Sequence, residues 1–188
     1  MKKEFSTEIK RYTICMLVDD GSGVISQVSR LFSRKGYNIE SIVTGQTEQP
    51  KVIRVSIEIL GDELMVEQIA AQCRKLIPVR CVKIFDEETC LRRETALVKI
   101  NASDRTARSE IIQLITVFRG QVVDVGKDYI IVWLFGTPDN NDSIIELLAD
   151  YGILEIAKTG TVAIERGRST IHDNNKLQEE YDYGKNVL

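Results

Sequence analysis

Residues 19–42 read DDGSGVISQVSRLFSRKGYNIESI. This stretch decides the fold, because it holds a strand exit, a glycine-bearing turn, a complete amphipathic helix and the start of another strand. Apolar residues fall at Val24, Ile25, Val28, Leu31 and Phe32, the stripe of a helix lying on a core. Ser22 stands at the N-cap position and Gly36 at the C′ position, while Arg34 and Lys35 complement the negative end of the helix dipole. At the other end the N–H groups of Gly23, Val24 and Ile25 lack partners within the helix, which suits the turn to a carboxylate or phosphate. Taken alone, residues 19–23 read first as an ordinary strand-to-helix turn. A dinucleotide fingerprint G-x-G-x-x-G fails at its third glycine, where Ser26 stands, and two strands follow in place of one strand and a crossover helix.

Working outward, residues 1–10 are charged and aperiodic, a flexible N-terminal arm, and residues 11–18 form the strand that enters the turn. Residues 37–46 and 51–60 make a hairpin in which Ile53, Val55, Ile57 and Ile59 alternate with Arg54, Ser56 and Glu58, as in an antiparallel sheet with one covered face. Asp62 caps a second helix, and residues 79–85 are a fourth strand. The order βαββαβ thus occupies residues 11–86, with the polar run DEET at 86–89 as its boundary. It repeats over 87–167. There a strand spans 95–101, and a helix capped by Asp104 or Ser103 buries Ala107, Ile111, Leu114, Ile115 and Phe118. A hairpin joins 122–125 to 129–135, a helix spans 141–151, and a last strand, 153–164, carries a bulge at Gly160. The run YIIVWLF at 129–135 reads as a buried strand. Residues 168–188 are a polar C-terminal tail. The fold class is α+β, two consecutive ferredoxin-like βαββαβ domains.

Composition narrows the function. With 43% hydrophobic residues in 188 and a net charge of −3 spread over interspersed acids and bases, the chain builds a core but no basic field for nucleic acid or anionic membrane. Its longest apolar run is far below the ~18 residues that span a bilayer. Glu4 and Glu8 interrupt any export signal, so the expected location is cytoplasmic. Cys15, Cys73, Cys81 and Cys90 form no C-x-x-C pair, and Cys15 and Cys73 sit at core positions suited to reduced thiols. His172 is the only histidine and lies in the tail, which disfavours Ser-His-Asp, Cys-His and histidine-based metal sites. No catalytic residue and no metal ligand is identified. An enzyme on the same topology therefore lacks its chemistry. An RNA-binding module needs aromatic residues on its central strands, whereas the first strand offers Thr13, Cys15 and Leu17 or Ile14, Met16 and Val18, and the third offers none.

The combination Gly23, Phe32, Arg34, Gly36, Tyr37, Asn38, Ile39, Glu40 and Ser41 resembles the opening motif of the small, regulatory subunit of acetohydroxyacid (acetolactate) synthase, whose first domain is an amino-acid-binding ACT domain. RETALVKI at 93–100 and FRGQVVDV at 118–125 resemble the second domain of the same family. The resemblance implies a non-catalytic homodimer that activates a large catalytic subunit and confers feedback inhibition by valine or another branched-chain amino acid, in the synthesis of valine, leucine and isoleucine. It implies no cofactor in this chain, with thiamine diphosphate, Mg and FAD on the large subunit. It also implies an effector site of Asp20, Gly23, Val24, Ile25, Asn38 and Ile39, the Gly23 turn coming from one protomer and Asn38 and Ile39 from the other. One position departs from the family pattern, which normally has Asn where this chain has Asp20. An ionised Asp only accepts hydrogen bonds, whereas Asn also donates, so weakened, altered or lost valine binding is expected.

Overall fold

The computed structural model describes residues 6–85 and 90–172. In chain order the elements are β1 (Lys10–Asp19), α1 (Val24–Lys35), β2 (Ser41–Gln46), β3 (Val52–Gly61), α2 (Glu63–Cys73), β4 (Val79–Phe85), β5 (Cys90–Asn101), α3 (Arg105–Val117), β6 (Gln121–Val125), β7 (Tyr129–Gly136), α4 (Pro138–Ala149) and β8 (Ile153–Glu165). Two four-stranded antiparallel sheets result, ordered β2-β3-β1-β4 and β6-β7-β5-β8, so the βαββαβ pattern occurs twice, as the sequence leads one to expect. The chain divides into two compact units, one drawing on Met1–Leu91 and Ala163–Leu188, the other on Arg92–Val162.

In the first unit α1 and α2 cover one sheet face. Val24, Val28, Leu31 and Phe32 of α1 meet Ile14, Met16 and Val18 of β1 and Val55, Ile57 and Ile59 of β3. Gly36 ends α1 with φ 71°, and the N–H of Tyr37 reaches back to the carbonyl of Phe32 at 3.1 Å. That turn delays β2, which begins at Ser41, later than expected.

The opposite face of this sheet is also buried, unlike the one-sided sheet inferred from the alternation in β3. Thr13, Cys15 and Leu17 of β1, Ser56 and Glu58 of β3, and Cys81, Lys83 and Phe85 of β4 are all shielded. The apolar members pack with Cys90, Ala163 and Ile171. Residues 163–172 are held there by Arg54 Nη2 donating to the Ala163 carbonyl (2.5 Å), Cys81 Sγ to the Ile171 carbonyl (2.9 Å), and Lys83 Nζ to Glu165 (2.5 Å) and the Thr170 carbonyl (3.2 Å). The expectation of a polar tail from residue 168 therefore needs correction for 168–172, where Ile171 is only 6% exposed. Residues 173–188, the boundary at 86–89 and residues 1–5 of the arm lie outside the described residues. The rest of the arm is tied down, since the N–H of Ser6 donates to Glu63 Oε2 at 3.1 Å and Lys10 begins β1.

In the second unit α3 and α4 cover Ala96, Val98 and Ile100 of β5 and Ile130, Val132 and Leu134 of β7 with Ile111, Ile115, Ile144 and Leu148. Helix α4 starts at Pro138, before the expected 141. Thr137 caps it by accepting from the N–H of Asn140 at 3.3 Å, and Pro138 suits a first-turn position that needs no donor. Strand β7 is not buried throughout, as its sequence implied. It alternates, with Ile131 and Trp133 half-buried and Phe135 63% exposed on the face away from the helices.

Candidate functional site

The turn between β1 and α1 is fixed by backbone bonds from distant strands. The N–H of Asp19 donates to the Pro78 carbonyl (2.8 Å) and that of Asp20 to the Lys51 carbonyl (2.9 Å). Arg80 donates through Nε and Nη2 to Asp19 Oδ1, each at 2.6 Å, which matches one of the two acidic charges. Asp20 is exposed and has no side-chain partner among the described residues. The chain then turns at Gly23, with φ 82° and ψ 0°, a left-handed conformation that costs an L side chain about 1–2 kcal/mol.

Gly23, not Ser22, is the N-cap of α1, and no side chain closes the helix start. The N–H of Val24 reaches the Gly21 carbonyl at a long 3.4 Å, and the first helical bond runs from the N–H of Gln27 to Gly23 at 3.0 Å. The left-handed turn thus moves the free donors along the chain. The open set keeps Gly23 and Ile25 of the expected three, with Ser26 in place of Val24. A Cβ built on Gly23 meets nothing within 4 Å, so the space beside this helix start is open.

The other three helices of the described residues close their own starts. Asp62 accepts from the N–H of Met65 (2.7 Å), Asp104 from that of Ala107 (3.0 Å) and Thr137 from that of Asn140 (3.3 Å). The Ala107 N–H holds the Asp104 carboxyl below its ordinary range. Among the described helices α1 alone has no side-chain cap at its start, and it combines unclaimed N–H groups with the positive dipole end and no acid in its first turn, features that favour anions.

The remaining expected site residues divide. Val24, 4% exposed, supports the turn from the core instead of lining it. Ile25 is half-buried beside the open donors. Asn38 is exposed and donates to Glu40 Oε1 at 2.8 Å, and Ile39 packs partly on the first core. These two lie beyond the far end of α1, a helix of 12 residues and hence ~18 Å long. One chain therefore does not bring Asn38 and Ile39 to Gly23. Ser26, Lys51 and Arg80 were not singled out from sequence. Their roles depend on where the helix begins and on strands far along the chain, and no local pattern encodes either.

Burial raises the thiols of Cys15 and Cys81 and pushes Cys73 up to about 11, so none of these is poised as a nucleophile at neutral pH. No group of three His, Cys, Asp or Glu among them could hold a metal, and no helix is long and apolar enough to cross a membrane.

Comparison with known proteins places this geometry. A family model described as an AHAS small subunit-like ACT domain matches residues 14–80, and one described as the small subunit of acetolactate synthase matches residues 93–167. The chain belongs to the acetolactate synthase small-subunit family. It is 40% identical over 160 residues to the probable small subunit of Methanothermobacter thermautotrophicus, covering 85% of this chain and 95% of that one. It is 40% identical over 156 residues to the small subunit of Mycolicibacterium smegmatis, covering 83% and 91%. The crystal structure of the Thermotoga maritima small subunit superposes with a TM-score of 0.78 at 36% identity, over 86% of this chain and all of that one (100%). The open start of α1, Asn38 and Ile39 all fall inside the matched ACT span.

Proposed function

We propose that this small subunit is a non-catalytic regulator. In this reading it raises the activity of a large acetolactate synthase subunit and makes that activity sensitive to valine or another branched-chain amino acid. The observation that carries the reading is the unclosed N-terminus of α1 within the ACT domain. An amino acid needs a partner for its carboxylate, one for its ammonium and an apolar wall. The N–H groups of Ile25 and Ser26 suit the carboxylate, the Asn38 side-chain oxygen and main-chain carbonyls beside Asp20 the ammonium, and Ile25 with Ile39 the side chain.

Assembly completes the site. Strand β2 is an edge of the first sheet, and its exposed ladder groups invite pairing with a second copy across a two-fold axis. Antiparallel pairing of two β2 strands sets the two copies of α1 antiparallel. The Gly23 turn of one protomer then approaches Asn38 and Ile39 of its partner, which a single chain cannot achieve. The reaction itself belongs to the large subunit, with thiamine diphosphate, Mg and FAD bound there.

Reconstitution tests the reading. The chain alone forms no acetolactate, increases acetolactate formation several-fold when added to its large subunit, and makes the rate fall on titration with valine. Turnover by the chain alone, or no change in a large subunit that demonstrably binds it, refutes the regulatory role. Activation without any response to branched-chain amino acids refutes the effector site only.

A further inference from the structure

The turn before α1 owes its shape to two main-chain carbonyls that lie outside it. The Lys51 carbonyl, between β2 and β3, holds the N–H of Asp20, and the Pro78 carbonyl, at the entry to β4, holds that of Asp19. Both supports sit in turns. Lys51 is left-handed with φ 62°, a conformation unfavourable to a residue with a Cβ, so it persists only where its surroundings impose it. Residues 74–78, which carry the Pro78 carbonyl, form neither helix nor strand.

Residues 170–172 reach both supports. His172 Nε2 lies 3.2 Å from Glu48 Oε1, in the same turn as Lys51. Cys81, just after Pro78 in the chain, donates through Sγ to the Ile171 carbonyl at 2.9 Å, and Lys83 Nζ donates to the Thr170 carbonyl at 3.2 Å. The Ile171 side chain belongs to one buried cluster with Val52, which adjoins Lys51, and with Leu17 and Cys81, which face each other across β1 and β4. We propose that residues 170–172 are a brace that positions the Asp19–Gly23 turn, so that effector affinity rises when the brace is docked and falls when it lifts. This rests on the assignment of the open α1 start as the effector site and adds positioning residues to it, Ile171 and His172, that touch no effector.

Distances decide how much docking matters. The bonds of 2.8 and 2.9 Å at Asp19 and Asp20 are lost when donor and acceptor part by ~1 Å, since little attraction remains beyond ~3.5 Å. The His172–Glu48 pair is weak by itself, because the two side chains are 36% and 72% exposed and water screens them. Docking therefore rests on the buried Ile171 and on the carbonyls held by Cys81 and Lys83, while His172 directs the brace onto the β2–β3 turn. By linkage, an effector that binds better when the brace is docked must favour docking by the same factor.

Amide hydrogen exchange in the full chain reads the positioning without any effector. In Ile171→Ser the N–H groups of Asp19 and Asp20 should exchange about tenfold faster than in the native chain, while amides inside β1 and β3 keep their protection. His172→Ala, which leaves Ile171 in place and guards against a folding fault, should speed Asp20 alone, by about twofold. Native exchange at Asp19 and Asp20 in both variants overturns the proposal. The unmutated chain supplies the second arm. Saturating valine should slow alkylation of Cys81 by iodoacetamide several-fold, read from the mass of its peptide, because the thiol is reached only when the brace lifts. Calorimetry should show weaker valine binding in Ile171→Ser. Valine that binds the native chain but leaves the alkylation rate of Cys81 unchanged also overturns the proposal. Valine that binds neither chain refutes the effector assignment and not the brace, which the exchange rates decide.

Discussion

The two domains share one strand order and lay two helices on one face of each sheet, yet they close opposite surfaces. In the first, residues 163–172 shield the back of the sheet, while the leading helix is left without a cap. In the second, Asp104 closes the start of the leading helix, while the back of the sheet stays open. A shared βαββαβ topology thus leaves two surfaces undecided, and short local features decide them. Gly23 against Asp104 determines where an anion can bind. Ala163 and Ile171, packed behind the first sheet, determine which of the two sheet faces is covered among the described residues.

The largest expected effect comes from making the first helix start resemble the second. Gly23→Asp puts a carboxylate beside the free N–H groups of Ile25 and Ser26 and should abolish inhibition by valine while activation of the large subunit persists. The side chain has room, so the structural cost is that of a left-handed φ, about 1–2 kcal/mol. Asp20→Asn works in the other direction. It removes the one acidic charge at the turn that Arg80 does not match, and valine should bind about tenfold more tightly, ~1.4 kcal/mol. Inhibition titrations on the reconstituted enzyme measure both. Unchanged inhibition in both variants would place the effector elsewhere.

Next in size is the cover of the first sheet. The side chains of Lys83 and Glu165 are 10% and 15% exposed, so Lys83→Met strands a mostly buried carboxylate and should cost about 3 kcal/mol in denaturant unfolding. Leu97→Ala on the open face of the second sheet, measured at a dilution where the chain is monomeric, should cost less than about 1 kcal/mol. Equal costs would mean that the two sheet faces are not differently covered.

How much of this was legible follows from the range of each signal. The apolar stripe of α1, the alternation in β3 and β5 and the caps at Asp62 and Asp104 are local periodicities, and they revealed both domains. The start of α4 was legible in Thr137 and Pro138 but passed over, because the apolar stripe begins only at Asn141. The cover over the first sheet left a fainter trace. TICMLV in β1 lacks alternation, yet what holds residues 163–172 is largely side chains donating to main-chain carbonyls of Ala163, Thr170 and Ile171, which no residue type announces. At the site, the turn and its glycine were readable from composition. The exchange of Val24 for Ser26 among the free donors was not, because it depends on which residue adopts φ 82°.

The smallest effect expected is at the start of α3, and it carries a pH signature that α1 lacks. Asp104 accepts from the N–H of Ala107, which holds its carboxyl below the ordinary value of about 3.9. A carboxyl whose folded pKa is depressed binds its proton less readily in the folded chain than in the unfolded one. Its contribution to stability is therefore complete above the unfolded value and is lost as pH falls through the folded one. Asp104→Ala should lower the melting temperature by a few degrees at neutral pH, and the gap to the native chain should close below about pH 3.9. The same substitution frees the donors of α3 without supplying the ledge of Asp20, Gly23 and Ile25, so valine inhibition should not change. A gap that stays constant down to low pH would show that Asp104 acts by packing and not as a charged cap. A second valine site appearing in Asp104→Ala would show that the carboxylate alone had been keeping the second domain from binding one.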